Sequence, residues 1–89
     1  LSRDLLVDIY KKLTVFLKDQ PRPVKEVQSC LMTQGGFEKV SLSMGLAVFE
    51  ELELLLRFSR NGEEFYQRRI ATKKLDLMES EVYRKHRMF

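Results

Sequence analysis

The sequence predicts a small α+β fold, three helices followed by a β-hairpin and a C-terminal helix. Three observations predict it. Asn61-Gly62 stands between two runs rich in aromatic and aliphatic residues, the strongest short-range hairpin signal, because a type I′ turn needs two residues that tolerate positive φ. Before that turn, apolar residues recur at spacings of three and four in three stretches, as one face of a helix requires. Breakers separate those stretches, Pro21-Arg22-Pro23 first and Gly35-Gly36 second.

The first helix is expected from about Arg3 to Lys18. Ser2 is placed to cap it, Asp4 suits the positive end of its dipole, and Leu5, Leu6, Ile9, Leu13, Phe16 and Leu17 form its apolar stripe. Pro21-Arg22-Pro23 stops it, since proline lacks the amide proton and restricts the residue before it. That stiff linker has the length for a short first strand. The second helix, about Val24 to Gln34, has Pro23 at its start and Val24, Val27, Cys30 and Leu31 on its apolar side, and Gly35-Gly36 ends it.

A turn from Gly35 to Val40 leads to the third helix, capped by Ser41 and carrying Leu42, Leu46, Phe49 and Leu52. Gly45 inside it costs ~1 kcal/mol relative to alanine. It either admits close approach by the second helix or is simply tolerated. The strands are expected over Leu54 to Arg60 and Glu63 to Ile70. A two-residue turn sets Arg60 opposite Glu63, Phe58 opposite Phe65, Arg57 opposite Tyr66 and Leu56 opposite Gln67. A lone hairpin is marginal in water, so the third helix is expected to pack on it. Ala71 to Leu75 then reads as a basic linker leading away. Asp76 and Glu79 have the spacing of a capping box, opening a polar helix through Tyr83 to Phe89 with Arg84, Lys85 and Arg87 near its end. The order is winged-helix-like, residues 1–75 forming that domain and 76–89 a helical extension.

At 89 residues the chain is one domain, burying about 60–65% of its unfolded surface. Hydrophobic content of 44% and charged content of 33% are those of a globular domain. No apolar run approaches the ~20 residues of a membrane span, and Leu1-Ser2-Arg3-Asp4 has no signal-peptide layout. A cytoplasmic location is expected, with no membrane partner. A chain beginning at Leu1 is also expected to be part of something larger. Its single cysteine, Cys30, excludes an internal disulfide and, beside a single His86, a cysteine-rich zinc site.

For catalysis the sequence offers no paired carboxylates with a histidine, no metal-ligand cluster, no nucleophile with its base and no glycine-rich phosphate loop. No catalytic, cofactor-binding or metal residue is expected. His86 sits in Arg84-Lys85-His86-Arg87, and Glu50, Glu51 and Glu53 are expected on the solvent side of the third helix. Those glutamates also argue against a sequence-reading helix. Ser41 to Leu54 holds three acidic residues and no basic one, whereas a helix in the major groove brings Arg, Lys, Asn or Gln to the bases.

Basic residues concentrate instead at Arg57, Arg60, Arg68, Arg69, Lys73 and Lys74, interleaved with Phe58, Phe65 and Tyr66. Net charge is +3. Cations beside aromatic rings are the ingredients of a single-strand surface, where bases stack for ~1–3 kcal/mol each. In that reading Tyr66 alternates away from Phe65 and lies outside, so the candidate nucleic-acid contacts are the six cations and Tyr66. In the other reading Phe58 and Phe65 pack on the helices and the arginines are a solvated face. Four phosphate contacts would give a salt slope of about −2.8, roughly fifty-fold weaker binding between about 50 and 200 mM salt, an accessory contact.

Ser2-Arg3-Asp4-Leu5-Leu6-Val7-Asp8-Ile9-Tyr10-Lys11-Lys12-Leu13, then Val48-Phe49-Glu50-Glu51-Leu52-Glu53-Leu54, then Lys73-Lys74-Leu75-Asp76-Leu77 with Ser80 and Tyr83, resemble the C-terminal accessory domain of RecJ nucleases from Gram-positive bacteria. The resemblance implies a noncatalytic appendage of a 5′→3′ single-stranded-DNA exonuclease of recombination and repair. The Mn²⁺ or Mg²⁺ of such an enzyme belongs to a DHH core that this chain does not contain. The implied partners are single-stranded DNA, single-strand-binding protein or other repair proteins, and the catalytic core of the parent chain. Two other readings stand beside it: a protein-interaction or structural module without DNA contact, and a winged-helix transcription regulator, disfavoured by the acidic third helix.

Overall fold

A computed structural model describes residues 1–87. Four helices and a three-stranded antiparallel sheet follow in the order α1 (Arg3–Leu17), β1 (Arg22–Pro23), α2 (Val24–Thr33), α3 (Lys39–Glu51), β2 (Leu55–Arg60), β3 (Glu63–Arg68) and α4 (Glu81–His86), with a 3₁₀ turn at Leu77–Glu79 before α4. Strand order is β1-β3-β2. Ser2 caps α1 as expected, its Oγ accepting the Leu5 amide at 3.1 Å. The helix ends in a tight turn in which Lys18 takes φ 51°, a left-handed conformation that a side chain adopts at some cost.

The α1 stripe (Leu6, Ile9, Leu13, Leu17), Val24, Val27 and Leu31 of α2, and Leu42, Leu46, Val48 and Phe49 of α3 meet in one core, joined from the hairpin by Leu55 and Tyr66. Each such aliphatic side chain contributes ~1.5–3 kcal/mol by leaving water. Tyr10 stands edge-on to Phe49 with centroids 5.3 Å apart.

The third helix starts three residues earlier than a Ser41 cap implies. Glu38 is its N-cap residue without a side-chain bond to the helix, and Ser41 lies inside the first turn. Gly45 meets α1 rather than α2: a Cβ there would stand 2.9 Å from Ile9 Cδ1 and 3.5 Å from Leu6 Cδ2. Strand β3 ends at Arg68, and Ile70 is 82% exposed.

The segment after the hairpin does not lead away. Asp76 caps only the 3₁₀ turn, accepting the Met78 amide at 2.9 Å. Helix α4 is capped by Ser80, fully buried, and by the Glu51 carboxylate at the end of α3, which accepts the Glu81 and Val82 amides at 2.7 and 3.1 Å. The Leu1 ammonium donates to the His86 carbonyl, so both ends of the described chain close on the same side. Met88 and Phe89, the end of the expected polar helix, lie outside the described residues. Among the described residues no helix is long and apolar enough to cross a membrane.

Candidate nucleic-acid interface

The hairpin carries all of the nominated residues but Arg69, Lys73 and Lys74, which follow it. Asn61 and Gly62 both take positive φ, 54° and 79°. The register is the one their turn dictates: Arg60 faces Glu63, Phe58 faces Phe65, Arg57 faces Tyr66 and Leu56 faces Gln67. Side chains alternate across a strand, so Leu55, Arg57, Tyr66 and Arg68 share one side, and Leu56, Phe58, Arg60, Phe65 and Gln67 share the other.

The side facing the helices is that of Tyr66, which is 1% exposed. The expectation that Tyr66 lies outside is therefore wrong, and it cannot stack on a base. Leu55 enters the core beside it, and β1 adds to the fixing of β3 by pairing Arg22 with Tyr66 and Pro23 with Phe65. Burial holds the Tyr66 hydroxyl above its ordinary pKa, with Glu50 adding to the rise. On the opposite side Phe58 and Phe65 stack at 5.7 Å with 17° between their planes. Both are half-buried, and neither belongs to the core or packs against it. Leu56 beside them is 40% exposed, and the Arg60 guanidinium lies 5.7 Å from the Phe58 ring centre.

The six cations do not form one surface. Arg57 is on the Tyr66 side, where its Nε donates to Glu64 at 2.8 Å and its guanidinium lies 5.7 Å from the Tyr66 ring centre. That hydrogen bond raises its pKa further. Lys73 pairs with Glu79 at 3.5 Å. Lys74 lines a groove against α1. Arg60, Arg68 and Arg69 remain exposed with no ion pair among the described residues. Arg60 is at the turn, and Arg68 is ~17 Å along β3 from there, five residues at the strand rise. Arg69 continues the ladder by one bond, its amide donating to the Leu54 carbonyl at 3.0 Å.

Three residues have roles that the sequence alone does not assign them. Phe58 and Phe65 supply the outward rings, and only the period-two alternation that linked them was visible. Glu51 is exposed, as expected, but also caps α4 from 30 residues away, and no local pattern marks such a contact. Among the described residues, no three His, Cys, Asp or Glu side chains gather as a metal site would need. Compared with family models, curated proteins and solved structures, the chain matches none.

Proposed function

We propose that this chain is a noncatalytic accessory domain that holds single-stranded DNA on the outer side of its hairpin. The observation that carries this is the Phe58–Phe65 stack, outside the core and in solvent contact, with Arg60 against it and Arg69, two residues beyond Gln67 and so in step with the outer side, past the far end of the strand. Aromatic faces between cations accept bases of any sequence, each base–ring stack worth ~1–3 kcal/mol. A duplex keeps its bases stacked on one another and offers this surface only phosphates.

A winged-helix identity fits the element order, α1-β1-α2-α3-β2-β3, with the hairpin as wing. In the reading that resemblance to RecJ suggests, the domain is an appendage of a 5′→3′ exonuclease and the wing helps hold its substrate, the divalent metal chemistry residing in the parent's core. Helix α3 carries only Lys39 among basic residues and ends on Glu50 and Glu51, which supports the wing over α3 as the contact.

Anisotropy titration with a labelled single strand of ~20 nucleotides, with the matching duplex beside it, tests the proposal. Two cations on a single strand give a salt slope of about −1.4, roughly seven-fold weaker binding when salt rises about four-fold. Charge reversal at Arg60 and Arg69, both exposed, is expected to weaken binding without unfolding the domain. Equal affinity for duplex and single strand, or an unchanged affinity in the reversed variant, would overturn it.

A further inference from the structure

We propose that a second surface, the groove between α1 and residues 74–78, docks a short amphipathic helix with acidic ends from a partner protein. The groove is open and about 740 Å³ in volume. One wall is a stripe of α1 that runs from Arg3 through Val7 to Lys11; the other is Lys74, Leu75 and Met78. Tyr10 and Phe49, edge to face, form part of its floor.

Two features separate this groove from the rest of the surface. Val7, Leu75 and Met78 are 41, 46 and 41% exposed, and all three line it. A small protein leaves single apolar residues exposed routinely, but a cluster bordered by charge marks an interaction site. The border is of one sign. Arg3, Lys11 and Lys74 ring the groove, and its one carboxylate, Asp76, is engaged by the Met78 amide.

Those features define the occupant. Arg3 and Lys11 are eight residues apart on α1, which separates them by ~12 Å along the helix axis. A helix laid beside α1 would offer apolar side chains at i, i+3 or i+4 and i+7 to the floor over that distance. Carboxylates at its two ends would then reach Arg3 and Lys11. Nucleic acid does not fit the same surface, because its phosphates would meet cations only at the border, leaving the apolar floor uncovered. This groove and the hairpin's aromatic side are separate surfaces, and the docking inference does not depend on DNA binding.

The test uses a labelled model helix of about four turns with leucines at i, i+3 and i+7 and two glutamates at each end. Its twin carries lysines in place of the glutamates. The intact chain is expected to bind the glutamate helix in the ~10–100 μM range and the lysine twin about tenfold more weakly. Methyl resonances of Val7, Leu75 and Met78 should shift on binding. In the Arg3→Glu/Lys11→Glu variant, both sites being exposed on α1, the preference should reverse, and Val7→Asp should weaken both peptides. Equal affinity for the two peptides, shifts confined to other residues, no binding near 1 mM, or displacement of the peptide by single-stranded DNA would each overturn the proposal.

Discussion

On one side of the hairpin Tyr66 is sealed at 1% exposure beneath the helices. On the other, one position along each strand, Phe58 and Phe65 lie against each other outside the core. The same strands and the same turn thus carry two aromatic sets with opposite tasks. Core burial stabilises the first, which is lost to any ligand. The second gains only ~0.5–1.5 kcal/mol from its own stacking and keeps its faces near solvent. Contribution to folding and availability for binding trade against each other across the thickness of one sheet.

Substitutions can break that contrast directly. Tyr66→Ala is expected to cost ~3–5 kcal/mol, the range for deleting a buried aromatic side chain, while Phe58→Ala or Phe65→Ala costs ~0.5–1.5 kcal/mol. Urea unfolding of the three variants reads both numbers, and similar losses at Phe65 and Tyr66 would place both sides in the core. Next in size is the layer that presses on the Tyr66 side. Gly45→Leu forces side-chain atoms into Ile9 and Leu6 of α1, with an expected loss of about 2–3 kcal/mol in the same assay.

Glu51→Ala removes the acceptor of the Glu81 and Val82 amides and is expected to cost ~0.5–2 kcal/mol, as loss of a cap does. Hydrogen exchange should quicken at those two amides and leave the hairpin ladder unchanged. The smallest effect is a pH dependence on the Tyr66 side. Burial pushes the Glu50 carboxyl above its ordinary 4.5, Arg57 opposing and Glu64 adding to the rise. A carboxyl raised in the folded state contributes stability below its unfolded pKa that is lost as pH climbs through the folded value. Glu50→Gln should therefore flatten the decline in stability between pH 4.5 and the raised value, and an unchanged profile would remove Glu50 from the cause.

Much of the fold was legible because its signals are local. Asn61-Gly62 sets the register by turn geometry alone, and every expected cross-strand pair is present. Ser2 and the two prolines delimit α1 and α2 by backbone chemistry that needs no tertiary contact. The inward side of the hairpin was not legible, since alternation says which residues share a side and leaves open which side meets the helices. That choice is made by Leu55 entering the core and by β1 pairing with β3, contacts between distant parts of the chain. The candidate site suffered in the same way. Of six cations clustered in sequence, four are distributed in space among Glu64, Glu79, the α1 groove and the outer rings.

The most direct measurement of the central claim is the affinity of a Phe58→Ala/Phe65→Ala double variant for the single strand, with circular dichroism confirming the fold. If bases stack on the outer rings, affinity at about 50 mM salt falls by tenfold or more while the salt slope keeps its value of about −1.4, because rings are lost and cations are not. An unchanged affinity would contradict the account and leave the outer side of the hairpin without a role in DNA binding.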